Sequence, residues 1–127
     1  MQTEKYAHGT IETWSPQEVA DAYAQNRIIL IDVRTPQEYM FEHIEGVLLA
    51  PMSFFRPEHL PSQNDKQVVL HCGSGIRSGR VARMCIDAGI DRIAHMGGGF
   101  GKWKDNRLPY IGTDMSSGAP KRMKKED

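Results

Sequence analysis

The chain has 127 residues, of which 39% are hydrophobic and 25% charged, and its formal net charge is zero. This length and composition are typical of one globular domain, and no apolar run approaches the roughly 20 residues of a membrane span. Two cysteines are too few for a disulfide framework or a zinc cluster. Because residues 1–5 lack the apolar core of a signal peptide, we expect a cytoplasmic protein.

Strand signals recur along the chain from residue 10 onward. Residues 1–9 are expected to form a loose lead-in. Short apolar or alternating runs predict five strands, at residues 10–14, 28–31, 47–49, 68–70 and 91–95. Residues 10–111 are therefore predicted to form one domain, and residues 112–127 a polar, basic and mobile tail.

Helix signals fall between these strands. The segments 15–18 and 35–38 share one N-terminal signature, in which a hydroxyl residue and a proline precede a glutamate. They predict one helix from Pro16 and a second over residues 36–43. A brief helical piece is expected within residues 51–61, and a last short helix after Gly97.

The most informative stretch runs from Val68 to Ala88, where a buried strand is followed by a helix. An apolar stripe is predicted on that helix at Val81, Met84, Cys85 and Ala88. The connection is a glycine-rich loop with the sequence Cys72-Gly73-Ser74-Gly75-Ile76-Arg77-Ser78. A helix that begins near its end directs free N–H groups into the loop. Such an anion cradle lowers the pKa of a cysteine and favours the nucleophilic thiolate.

The order of the elements predicts where a site forms. Strands that alternate with helices indicate an α/β fold, with a parallel sheet and helices on both faces. Sites in such sheets lie beyond the carboxyl ends of the strands. Because Asp32 and Cys72 each follow a predicted strand, both are expected at this edge of the sheet.

Three separate stretches make the chain resemble the single-domain rhodaneses, a family of sulfurtransferases. They are Asp32-Val33-Arg34 through Glu38 to His43-Ile44-Glu45-Gly46, the loop Cys72 to Ser78, and Gly98-Gly99 with Trp103 and Leu108-Pro109. The resemblance covers residues 10–110. It implies a parallel five-stranded sheet with helices on both faces.

The resemblance also implies a set of site residues. Cys72 corresponds to the catalytic cysteine, which carries sulfur as a persulfide. The loop that would bind the substrate anions consists of Gly73, Ser74, Gly75, Ile76, Arg77 and Ser78. Asp32 and Arg34 correspond to supporting residues near this loop. The family implies no metal and no organic cofactor.

Four polar residues have structural interpretations. Asp32 is interpreted as a support that pairs with Arg34 or caps a turn, because a thiolate needs no general base. Glu38 fits the capping position of its helix, and His43 is interpreted as a packed residue. His71 precedes Cys72 on an extended strand and is expected to point to the opposite face.

The expected function is sulfur transfer from thiosulfate, or a related small anionic donor, to cyanide or a thiol acceptor. Both half-reactions develop negative charge at Cys72, which the loop amides and Arg77 would stabilise. A protein that donates or accepts the sulfur is a further candidate partner. The basic tail has no interleaved aromatic residues, so we expect no nucleic-acid partner, and we expect no membrane partner.

The sequence gives two opposing indications of the donor. The run Cys72-Gly73-Ser74-Gly75 is similar to the start of the loop in 3-mercaptopyruvate sulfurtransferases. Against this, Arg77 supplies a positive charge for a dianionic donor, and Glu38 would repel the carboxylate of mercaptopyruvate. The two charges favour thiosulfate.

Two rival functions are less consistent with the loop. Cysteine-dependent phosphatases of related fold have one residue more between cysteine and arginine, whereas four residues separate Cys72 from Arg77 here. A shorter loop favours a sulfur-sized centre over phosphate. A non-catalytic or partner-dependent interaction module is the second rival, and such modules commonly lack the cysteine.

Overall fold

The computed structural model of the chain describes residues 1–125. In chain order the elements are β1 (Gln2–Tyr6), β2 (Gly9–Trp14), α1 (Pro16–Ala24), β3 (Ile28–Asp32), α2 (Pro36–Phe41), β4 (Leu48–Leu49), β5 (Gln67–His71), α3 (Ile76–Asp87), β6 (Arg92–Met96), α4 (Gly99–Asp105), β7 (Tyr110–Thr113) and β8 (Pro120–Met123). Two short 3₁₀ turns, Met52–Phe54 and Pro57–His59, lie between β4 and β5.

The central sheet has six strands in the order β1-β2-β6-β5-β3-β4. Five neighbouring strands of this sheet run parallel, namely β2, β6, β5, β3 and β4. They are the five strands that the sequence predicts. The predicted count of five is wrong for the whole sheet because β1 adds a sixth strand, antiparallel to β2. The α/β architecture itself is confirmed.

The additional strand comes from the segment expected to be a loose lead-in. Residues 2–6 fold back on β2 through a tight turn, and Gln2 pairs with Thr13 at the far end of the hairpin. Four of the five side chains of β1 are exposed, so its sequence has no buried apolar face to reveal a strand. Backbone hydrogen bonds to the otherwise open edge of β2 hold it in place.

Helices cover both faces of the sheet. On one face, α1 and α4 bury Val19, Ala22, Phe100 and Trp103 against the sheet. On the other face lies α3, which buries Val81, Ala82, Cys85 and Ile86. The stripe predicted for α3 is only half right. Met84 and Ala88 are exposed, because the face toward the sheet is centred on Ala82 and Cys85.

The two predicted helix starts are confirmed. The side chains of Ser15 and Thr35 accept hydrogen bonds from the backbone N–H groups of Glu18 and Glu38. Each glutamate side chain in turn accepts from the N–H of its N-cap residue. The second helix ends at Phe41, two residues before the predicted end.

The segment after residue 111, which is predicted to be a mobile tail, contributes to a second, two-stranded sheet. Residues 120–123 form β8, which pairs antiparallel with β7, and Arg122 forms a salt bridge with Glu45. The prediction also covers residues 126 and 127, which lie outside the described residues. Within residues 1–125, no helix combines the length and the apolar character needed to cross a membrane.

Candidate active site

The Cys72 thiol lies inside a ring of hydrogen-bond donors formed by the loop that follows β5. The backbone N–H of Gly75 points at Sγ from 3.1 Å, and the N–H of Ser78 from 3.3 Å. The Ser78 hydroxyl oxygen is 3.6 Å from the same sulfur. Gly75 makes this ring by adopting a φ of 101°, a conformation that favours glycine. The loop and the start of α3 therefore direct donors at one sulfur atom.

These donors set the protonation of the thiol. The Cys72 side chain is fully buried, and burial alone raises the pKa of a thiol. The hydrogen bonds from the Ser78 hydroxyl and from the N–H groups of Ser78, Ser74 and Gly75 outweigh burial, so the net pKa of Cys72 is lowered. Cys85 is buried without such donors, and burial raises its pKa to about 11. Of the two thiols, Cys72 is therefore the one whose surroundings favour the thiolate.

Arg77 does not offer an unpaired charge to the loop. Its guanidinium forms two hydrogen bonds to the Glu38 carboxylate, at 2.6 and 2.9 Å. The pair and the Thr35 backbone lower the pKa of Glu38 to about 2, with the Arg77 hydrogen bond as the largest cause. Glu38 is therefore ionised at neutral pH, and it serves both the capping box of α2 and the arginine.

The start of α4 braces the loop from behind. The N–H of Phe100 donates to the Cys72 carbonyl at 2.8 Å, and the N–H of Gly101 donates to the Gly73 carbonyl at 3.0 Å. Gly99 permits this approach, because a Cβ atom on it would lie 2.6 Å from the Cys72 carbonyl oxygen. The short helix opened by the glycine run thus fixes the backbone at the cysteine.

Asp32 and Arg34 form a buried ion pair at the carboxyl end of β3. The Asp32 carboxylate accepts from the Arg34 backbone N–H at 2.9 Å and from its guanidinium at 2.8 to 3.0 Å. The guanidinium also donates to the Glu42 carbonyl and lies over the Phe100 ring. Asp32 therefore pairs with Arg34, as its support role predicts, and the pair anchors Phe100 behind the loop.

His71 lies on the opposite face of the sheet from the thiol, as the strand register predicts. Its Nδ1 faces the Cys72 carbonyl at 3.3 Å, and its Nε2 is 3.7 Å from the Asp32 carboxylate. Burial lowers the pKa of His71 more than Asp32 raises it, so the ring is neutral. His43 is likewise structural, since it stacks on Tyr39 and bonds to the Tyr39 carbonyl.

Two residues near the site are absent from the sequence prediction. His95 on β6 lies 2.9 Å from the Ser78 hydroxyl, and Thr13 on β2 lies 3.3 Å from the other side of the same ring. The sequence signal was limited to a polar residue at the end of a predicted strand. Within residues 1–125, no group of three or more histidine, cysteine or acidic side chains is arranged to hold a metal ion.

Several known proteins are similar to this chain. The uncharacterized protein slr1261 of Synechocystis is 37% identical over 101 residues, which are 80% of this chain and 56% of that protein. A protein named sulfurtransferase from Allochromatium vinosum is 29% identical over 68% of this chain and 81% of its own length. The chain therefore spans little more than half of the first relative.

A solved structure shares the fold. The rhodanese-related protein of Thermoplasma volcanium superimposes with a TM-score of 0.67, over 79% of this chain and 97% of that one, at 21% identity. The sequence model of the rhodanese-like domain family matches residues 15–106. This range includes the loop after Cys72, helix α4 and the Asp32–Arg34 pair. The chain therefore belongs to the rhodanese-like domain family.

Proposed function

We propose that this protein is a sulfurtransferase that carries a sulfane sulfur as a persulfide on Cys72. The observation that carries the proposal is the ring of donors at Sγ, with N–H groups at 3.1 and 3.3 Å. A thiolate and a persulfide anion both concentrate negative charge at this position. Preoriented backbone N–H groups stabilise such charge without reorganising during the reaction.

The reaction has two steps. The Cys72 thiolate attacks the outer sulfur of thiosulfate, a new S–S bond forms, and sulfite leaves with the electron pair of the broken bond. Cyanide or an acceptor thiolate then attacks the outer sulfur of the persulfide, and the thiolate of Cys72 returns. Because Cys72 has no exposed surface, we infer that residues 73–76 move aside when the donor enters.

The mass of the intact protein tests this proposal. After treatment with thiosulfate and removal of excess donor, the protein should gain the mass of one sulfur atom, and cyanide should reverse the gain with release of thiocyanate. An unchanged mass with thiosulfate, with 3-mercaptopyruvate and with a small-molecule persulfide would contradict the proposal. Turnover of an aryl phosphate at a rate comparable to sulfur transfer would favour a phosphatase instead.

The Arg77–Glu38 pair bears directly on the donor. In the sequence, Arg77 and Glu38 are expected to act on the donor as separate charges, but in the structure each compensates the other. We propose thiosulfate as the donor of this site. The Arg77 charge becomes available to the donor when the hydrogen bonds between Arg77 and Glu38 break. Both side chains are about one-third exposed, so the pair is partly screened by water.

Replacing Glu38 with glutamine should therefore improve thiosulfate binding. Glutamine keeps the capping box of α2 but leaves the Arg77 charge uncompensated. We expect the KM for thiosulfate to fall about threefold at low ionic strength, with less effect at high salt and little change in kcat. Steady-state kinetics at two salt concentrations measure this effect. A KM that rises or stays constant in both would show that Arg77 does not meet the donor.

A further inference from the structure

A line of three polar side chains leads from the buried thiol to Thr13, a half-buried residue on β2. From Cys72 Sγ, the Ser78 hydroxyl oxygen is 3.6 Å away, and His95 Nδ1 is 2.9 Å beyond that oxygen. On the other side of the ring, Nε2 lies 3.3 Å from the Thr13 hydroxyl. The cysteine and these three residues come from the end of β5, from α3, from β6 and from β2, and they meet on the face of the sheet that α3 covers.

The Ser78 hydroxyl is the decisive link because it has one proton and three neighbouring acceptors. These are the Cys72 sulfur, His95 Nδ1 at 2.9 Å and the Gly75 carbonyl oxygen at 3.3 Å. The hydroxyl stabilises a thiolate only when its proton points at the sulfur. That orientation is enforced when His95 carries its proton on Nδ1 and donates to the Ser78 oxygen.

We propose that His95 is a positioning residue for Cys72, which turns the Ser78 hydroxyl toward the thiolate and receives the thiol proton through it. The proposal rests on the proposed sulfur-transfer function, in which the thiolate is the attacking species. It assigns a role to a residue outside the loop, 23 positions after the cysteine along the chain.

The proton balance of this route is complete. The S–H bond of Cys72 breaks, the sulfur keeps the electron pair, and the proton passes to the Ser78 oxygen. The original hydroxyl proton passes at the same time to His95 Nδ1, which gives an imidazolium. The Nε2 proton then leaves past Thr13 to water. The neutral ring that remains holds its proton on Nδ1 and donates to Ser78, whose hydroxyl donates to the thiolate.

The surroundings of the ring are consistent with a proton acceptor. Burial is the largest influence on the pKa of His95 and lowers it, so the ring is neutral and able to accept near neutral pH. Glu4, on β1, acts in the opposite direction and raises the pKa of His95. Arg77, on α3, interacts with Cys72 through its charge, and Glu38 is the main influence on its pKa. His71 lies on the far face of the sheet.

The pH dependence of alkylation tests the proposal without using any sulfur donor. The rate of Cys72 modification by iodoacetamide is measured from pH 5 to pH 10 in a Cys85→Ala background. The midpoint of this curve reports the thiol pKa and does not depend on how easily the reagent enters. In His95→Leu the midpoint should rise by about one unit, so that the rate below the midpoint falls about tenfold, the size of one hydrogen bond to a charged group.

Two further variants separate a positioning role from a structural one. In His95→Asn an amide N–H can take the place of Nδ1, so the midpoint should stay close to that of the parent. His43→Leu is the matched control, because His43 is a half-buried histidine that contacts Tyr39 and the Ile111 backbone. It should leave the midpoint unchanged.

Thermal melting is recorded for every variant. If His95→Leu does not fold, His95→Gln replaces it, because the longer glutamine side chain carries its amide past the Nδ1 position. An unchanged midpoint in the variants that lack a donor at Nδ1 would overturn the proposal, and so would equal shifts in His95→Asn and His95→Leu. Failure of the sulfur-transfer function is a different result, seen as an unchanged protein mass with every donor while the alkylation midpoints still differ.

Discussion

Replacing Cys72 with serine is expected to abolish persulfide formation and sulfur transfer. The serine hydroxyl fits the same ring and can accept the N–H groups of Gly75 and Ser78, so the fold should be retained. A hydroxyl does not ionise near neutral pH and is a poor nucleophile toward sulfur, and loss of a catalytic nucleophile commonly costs about a thousandfold or more in rate. Thiocyanate release from thiosulfate and cyanide measures the activity, and intact mass measures the persulfide.

The matched control is the same substitution at the second cysteine. Cys85 is buried on α3 with a pKa raised by burial, so Cys85→Ser should keep both persulfide formation and turnover. Its stability is followed separately, because it places a hydroxyl in the core. If sulfur transfer persists in Cys72→Ser and disappears in Cys85→Ser, Cys85 carries the sulfur and the mechanism is refuted.

Replacing Gly99 with alanine should produce the largest loss of stability among single substitutions near the site. Gly99 has a φ of 62°, and a Cβ atom there would lie 2.5 Å from the Gly73 carbonyl carbon and 2.6 Å from the Cys72 carbonyl oxygen. The left-handed conformation and the clash with backbone together should cost about 3 kcal/mol or more. Urea denaturation measures the stability, and the same variant should lose sulfur transfer because α4 no longer holds the loop.

Gly89 offers a control that separates the clash from the conformation. It has a φ of 99°, and no atom lies within 4 Å of the position that a Cβ atom would take. Gly89→Ala should therefore cost only the conformational penalty, about 1 to 2 kcal/mol, and should keep its activity. Equal losses in the two variants would show that α4 does not press on the loop backbone.

Much of the site was predictable because its signals are local in the chain. The strand before Cys72, the glycines of the loop and the helix start lie within a few residues of one another, and each acts through backbone geometry that the nearest neighbours determine. The capping boxes at Ser15 and Thr35 are equally local, since they join residues three positions apart. These features needed no knowledge of the rest of the fold.

The sequence by itself therefore determined the glycine-rich loop after Cys72, the helix that follows it and the five parallel strands of the sheet. Only the tertiary structure decided what surrounds them. It paired Arg77 with Glu38, 39 positions away, and it placed His95 of a neighbouring strand against Ser78. It also added β1, whose exposed side chains carry no burial pattern. The physical reason is the range of the interactions: caps and loops act over three or four residues, whereas charge pairing and sheet edges depend on which strands become neighbours.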